Sequence, residues 1–364
     1  MNDISQRQFS FLIFIIFLCF SFVGVPSHLA KNCNTDGILV LLVVSFLGYG
    51  AYYCLIKVFS TYKDKSFNEV LEHLLGKAFG RIFYVVFLVG TVFYISAGLR
   101  IITEQVNVYM LRTCPFIVVE LVFLVLSIYL VSKRVKTLFN FSQIAIYPII
   151  TIISLLAICT VVNVELENML PLFNSSFKDI SRSVLILMSY LFSGIMLVPI
   201  FMKRVDSFDE KKALLEGIYI IGGVFLIYAV YYIMCIGVLG TDLTGREMFP
   251  SLTIMQSNKS KYVFLERYEI LLLSAVLLMF FVYISALMKG VLMSIQIKEK
   301  KKKRFIQVGI LLSVFVVMLV FNSRTIGILS LLSELKIISP NLFLPFMLYG
   351  AMQIKKKKDK AQTS

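Results

Sequence analysis

Arg100 and Glu104 stand four residues apart in "LRIITE", so on a helix they share a face, and inside an apolar run each needs the other as a partner. A second charged set, Glu266, Arg267 and Glu269 in "FLERYE", opens a later apolar run, and Lys289 lies toward the far end of that run. An ammonium there can reach the membrane surface along its own methylene stem. Small polar residues and prolines punctuate two other apolar runs. "FSFVGVP" at 20–26 holds Ser21 and Gly24, and "LFSGIMLVP" at 191–199 holds Ser193 and Gly194. A helix broken in hydrocarbon frees N–H and C=O groups that something polar must meet. Freed amides at the start of a half-helix suit an anionic group such as a carboxylate, and freed carbonyls suit an ammonium or a cation. This is the chemistry of binding rather than of bond making. His28 and His73 are isolated, no glycine-rich phosphate loop or metal-spaced cluster occurs, and the six cysteines form no CxxC pair. We therefore expect no catalytic residue, no metal site and no cofactor, and do not expect an enzyme.

The elements that carry these residues are membrane helices. Hydrophobic residues are 59% of the 364 and charged ones 16%, with a mean hydropathy of +0.86, outside the range of soluble globular domains. Apolar runs of spanning length cover 9–26, 38–59, 82–103, 116–132, 142–162, 183–201, 214–239, 268–290, 305–321 and 340–354. The stretch "TIGILSLLSELKI" after the ninth is too brief to cross and reads as interfacial or re-entrant. A net charge of +15 raises the question of a nucleic-acid partner. However, 24 of the 36 lysines and arginines fall in segments that are cytoplasmic if the N-terminus is inside, against nine in the opposite loops. Topology accounts for the charge, with both termini cytoplasmic and no nucleic acid involved. A cleaved signal peptide ending at "SHLA" is the weaker reading of the first run, which is longer than a typical signal core.

Between the second and third spans, Phe67, Val70, Leu71, Leu74, Leu75, Ala78 and Phe79 form one helical stripe, opened by a Ser66–Glu69 capping box and closed by Gly80. This predicts an amphipathic helix over 66–80, on the cytoplasmic membrane surface or against the bundle. The punctuated runs are the first and sixth spans, so each half holds five. An odd number per half inverts one half relative to the other, the pattern of transporters built on inverted repeats whose first helix in each repeat is broken at the substrate. The expectation is a single transmembrane domain over 1–364, with repeats over 1–162 and 183–354 and a basic tail over 355–364.

Several stretches together carry a resemblance: "VP" closing the first break, "EVLEHLLGKAFG", "LRIITE" followed by Cys114-Pro115, "NMLPLF", "FLERYE", and "NLFLPFMLYGAM" before the basic tail. In that order the chain resembles, over nearly its whole length, the B subunit of bacterial spore nutrient germinant receptors, relatives of amino-acid permeases of the amino acid–polyamine–organocation superfamily. The resemblance implies an all-α membrane fold of ten helices, a 5+5 leucine-transporter-type bundle with broken first and sixth helices. It further implies a small nutrient as ligand, an amino acid first of all, and assembly with an A subunit and a lipoprotein C subunit in the spore's inner membrane. In such a fold the first, third, sixth and eighth helices line the pocket, so Tyr94 and Tyr283 join Ser21, Gly24, Ser193 and Gly194 as candidate ligand-binding residues. The third and eighth helices are then neighbours, and Arg100 and Glu104, joined by Glu266, Arg267 and Glu269, are expected to form one ion-pair clamp, with an outer gate or proton path as the functional alternative. Lys289 becomes a candidate for the place where sodium-coupled relatives hold a cation. Relatives are glycine-rich ahead of the proline in the first span and often carry glutamate in the sixth-span break. This chain has Cys19, Phe20 and Ser21 in the first place and Ser193 or Gly194 in the second, so no ligand is carried over from them. A working amino-acid permease and a scaffold for partner subunits remain the other readings.

Overall fold

A computed structural model describes residues 4–19, 22, 24–171, 174–257, 267–295, 309 and 343–363. All regular structure among these residues is helical, and five helical stretches are long and apolar enough to cross a membrane. The expected ninth span apart from residue 309, the "TIGILSLLSELKI" stretch, Ser21 and Glu266 lie outside the described residues.

The first span is two helices. α1 (Gln6–Leu18) opens on a capping box formed by Ser5 and Gln8, and α2 (Val25–Cys33) starts after Gly24 with Pro26 in its first turn. Pro26 lacks the N–H that an interior position would need, so it begins a helix more readily than it continues one. Nine of the thirteen residues of α1 are buried, which places it at the centre of the bundle, against α7, α10 and α12 below. The second span is α3 (Gly37–Thr61).

The Ser66–Glu69 capping box forms and starts α4 (Phe67–Leu75), but the helix does not run to Gly80. It stops at Gly76, whose φ of 86° is a conformation that costs glycine little, and residues 77–80 begin α5 (Lys77–Tyr109) instead. Gly80 has a different use. A Cβ there would lie 2.6 Å from the Glu72 backbone, so its absence lets α5 cross α4 closely.

α6 (Phe116–Ser132) and α7 (Val135–Val161) follow, α7 starting seven residues earlier than hydropathy alone marks. The sixth span is again split, into α8 (Phe177–Leu191) and the short, wholly buried α9 (Leu197–Met202). α10 (Glu210–Arg246) carries one non-helical residue, Gly240, and α11 (Pro250–Ser257) and α12 (Tyr268–Ser294) complete the described core. α13 (Leu344–Thr363) packs on α3 and α4, and the expected tail is its helical continuation. There, Lys355 Nζ bonds both the ring and the carbonyl of His73 on α4.

Polar side chains tie the N-terminal end of α1 to two other elements. Ile4 and Asp206 exchange hydrogen bonds of 3.0 and 3.1 Å, and so do Gln6 and Asp209 at 3.2 and 3.1 Å. Ser10 donates to Glu216 at 2.6 Å, and Gln8 reaches Asn140 and Gln143 of α7. Beside this network, Lys57 of α3 pairs with Glu210 of α10.

Candidate functional site

The two breaks face one another inside the bundle. Gly24 sits at φ 62°, ψ −5°, the left-handed region that side chains other than asparagine and aspartate rarely adopt, and turns the chain into α2. At the other break, a Cβ on Gly194 would lie 2.4 Å from Ile16 Cγ2, so the sixth span approaches α1 where only glycine leaves room. Ser193 Oγ and Tyr283 Oη are 2.7 Å apart, a buried hydrogen bond between the sixth-span break and α12. Tyr94 of α5 donates from Oη to the Ser189 carbonyl at 2.9 Å. Gly194, Ser193, Tyr283 and Tyr94 are thus brought together with α1.

The last turn of a helix leaves its carbonyls without partners. At the end of α8 the Met188 carbonyl takes the Phe192 amide, the Tyr190 carbonyl takes the Ser193 amide, and the Ser189 carbonyl takes the Tyr94 hydroxyl. At the end of α1 the Phe17 carbonyl accepts from Tyr228 Oη of α10 at 3.3 Å. Tyr228 was not legible as a site residue, because its role depends on α10 lying beside α1. Aromatic rings close the region: Phe17 meets Phe192 edge-on at 5.0 Å, Phe22 meets Tyr231 at 4.5 Å, and Phe280 meets Tyr283 at 6.2 Å. Beside the breaks a small apolar cleft is bordered by Phe17, Leu41, Ser45, Phe192, Phe225 and Tyr228. The side chains present can offer hydroxyls and freed backbone groups to a small polar ligand, inside apolar walls.

The Ser193–Tyr283 bond gives a direct measurement. Ser193→Ala and Tyr283→Phe should each destabilise the protein by about 1–3 kcal/mol, the cost of leaving a buried hydroxyl unpaired. The double variant should cost less than the sum. A coupling of about 0.5 kcal/mol or more in reversible unfolding would mark the contact, and additive losses would contradict it.

The charged residues divide differently from the expectation of one clamp. Arg100 Nε donates to Glu104 Oε1 at 3.0 Å, and Arg100 Nη1 lies 3.5 Å from Oε1 of Glu120 on α6. Arg267 instead pairs with Glu269 at 2.9 Å and donates to the Tyr109 carbonyl at 2.8 Å, tying the start of α12 to the end of α5. The clamp is therefore two separate sets. α6 reaches Arg100 first, a contact that Glu120 alone, in an otherwise uncharged helix, could have signalled. Lys289 donates to the Val131 and Lys133 carbonyls at 2.7 and 2.6 Å, at the C-terminal end of α6.

An all-helical membrane protein with two interrupted helices meeting in its core is the class that the fold and site define. Residues 3–359 match the family model described as spore germination protein, and the chain belongs to that family. Three similar proteins of Bacillus subtilis (strain 168) bear related names. Spore germination protein KB is 26% identical over 280 residues, 76% of this chain and 73% of its own. Spore germination protein YndE is 24% identical over 75% of this chain and 74% of its own. Spore germination protein A2 is 26% identical over 71% and 70%.

Proposed function

We propose that this chain is the membrane subunit of a nutrient germinant receptor, binding a small nutrient, an amino acid first of all, where its two broken helices meet. The observation that carries this is the pairing of breaks in the first and sixth spans, each with one freed carbonyl held by a tyrosine of another helix. Such contacts can be exchanged for a ligand's ammonium or hydroxyl at small net cost, because one hydrogen bond replaces another. Gly24 would face the ligand from one side, and Ser193, Gly194 and Tyr283 from the other; Ser21, outside the described residues, belongs to the proposal by its place in the sequence beside Gly24. Tyr94 would sense it through Ser189.

The ten-helix, 5+5 arrangement of the leucine-transporter type is the architecture this reading uses. The matching positions of the breaks support it, and so does the odd number of spans in each half. Partner A and lipoprotein C subunits would receive the conformational signal in the spore's inner membrane, with both termini of this chain on the cytoplasmic side. The polar ties of α1 to Asp206, Asp209 and Glu216 make the cytoplasmic half of α1 the element that would transmit it.

The test is loss of refractility in spores with and without this gene, across a panel of amino acids and nucleosides. The expected result is loss of the response to one nutrient, restored by the wild-type gene but not by Gly24→Leu. An unchanged response across the panel would overturn the receptor reading. Uptake of the labelled nutrient by proteoliposomes would then establish the chain as a permease.

A further inference from the structure

Three charges meet on the outer half of α5. Arg100 is 8% exposed and Glu120 5%, and the Glu104 side chain is 15% exposed. One guanidinium faces two carboxyl groups, 3.0 and 3.5 Å away, while its plane lies over the Phe116 ring at 4.5 Å from carbon to centroid. With both carboxyls ionised the cluster has a net charge of −1, in a part of the chain where an uncompensated charge is costly. The geometry divides the two acids unequally. Glu104 takes a well-formed hydrogen bond from Arg100 Nε, whereas Oε1 of Glu120 is buried and accepts no hydrogen bond among the described residues.

No other charge in the described structure is placed to supply the missing positive unit. α6 has no charged residue besides Glu120. On α5 the others are Lys77 and Arg81, more than four turns away at the cytoplasmic end, where Glu69, Glu72 and His73 of α4 also lie. On α7 the one charge is Lys136, in its first turn and so at the end opposite the start of α6. α12 contributes Glu269, already paired with Arg267, and Lys289, bonded at the far end of α6. Arg112 stands exposed in the connection to α6.

We propose that Arg100, Glu104 and Glu120 form a proton-binding site, in which the two carboxyl groups hold one proton between them at neutral pH. The proton brings the cluster to zero net charge, so that Glu120 Oε1, buried and accepting no hydrogen bond among the described residues, need not carry a full charge. Its loss would leave two carboxylates competing for one guanidinium and would push α6 away from α5. Because α5 also bears Tyr94, bonded to the sixth-span break six residues nearer the cytoplasm, occupancy of this site by a proton bears on the centre of the bundle. This inference does not depend on the identity of the nutrient.

Infrared difference spectroscopy on the full chain in lipid nanodiscs tests it. The spectrum of wild type minus Glu120→Gln at neutral pH should contain the carbonyl stretch of a protonated carboxylic acid, shifted in heavy water. Glu104→Gln should lose the same band, because in either variant one remaining carboxylate faces one arginine and needs no proton. Glu269 is buried too, but it is common to all three proteins and cancels. Exchange of sodium for choline should leave the band in place. If the difference spectra instead show loss of ionised carboxylate bands, both glutamates are charged and the proposal is overturned. Should Glu120→Gln fail to assemble, Glu104→Gln gives the same reading, and a wild-type spectrum whose carbonyl band stays unchanged from neutral to strongly alkaline pH also rejects an exchangeable proton.

Discussion

Gly48→Leu should lower stability by about 1–3 kcal/mol, the range for forcing extra methylenes into a packed interior. On the proposed receptor role, the nutrient concentration for half-response should also rise, about tenfold for every 1.4 kcal/mol taken from binding. A Cβ at Gly48 of α3 would lie 1.8 Å from the Phe192 ring, far inside van der Waals contact, so the ring must move. Phe192 is not a peripheral residue. It is the first residue after α8, its amide closes the last turn of that helix, and its ring packs edge-on against Phe17 at the end of α1. Displacing it disturbs both broken spans at once. Combining Gly48→Leu with Phe192→Ala returns the lost volume and should recover a large part of the stability, giving a coupling of opposite sign to the single losses. Thermal unfolding in nanodiscs, read beside spore response, measures both. If Gly48→Leu leaves stability and response unchanged, α3 does not press on the sixth-span break as described.

Neither Gly48 nor Phe192 could be singled out from the sequence, and the reason is physical. Interruptions in a membrane helix announce themselves through local chemistry, because serine, glycine and proline are unusual in the middle of an apolar run. The breaks at 19–24 and 192–196 were therefore legible. The start of α4 was legible for the same kind of reason, since a capping box involves residues three apart. What a break touches is set by helices distant in the chain, and an apolar helix such as α3 offers no periodicity to say which face meets which neighbour. The end of α4 illustrates the limit from the other side. Its apolar stripe continues through Phe79 because the first turn of α5 happens to share the pattern, so the helix ends at Gly76 and not at the expected Gly80.

The charged residues follow the same division. Arg100 and Glu104 pair along one helix and were legible from spacing alone, but the third member, Glu120, lies on a neighbouring helix. Arg267 was expected to reach across to Arg100 and Glu104, yet the main-chain carbonyl of Tyr109 is nearer. A sequence shows side chains and hides the backbone acceptors at helix ends, although these are among the strongest partners available in a membrane.

Lys289→Met should consequently be among the most damaging single changes in α12. The ammonium donates to the carbonyls of Val131 and Lys133, at the end of α6 where the helix dipole concentrates negative charge. Methionine matches the length of the stem and offers no donor. Each carbonyl left dry costs about 1–3 kcal/mol, and the Lys133 oxygen lies at the exposed edge where water can replace the lysine, so the expected loss is about 2–3 kcal/mol. Lys289→Arg keeps a cationic donor and should recover most of it. A role as substitute for a bound cation at the centre of the bundle predicts a different pattern. In that case Lys289→Met would make the response depend on sodium while leaving thermal stability near the wild-type value. Unfolding temperature and sodium dependence measured on the same variant separate the two. A stable, sodium-dependent Lys289→Met would overturn the capping role, and a destabilised variant indifferent to sodium, with recovery in Lys289→Arg, is the expected result.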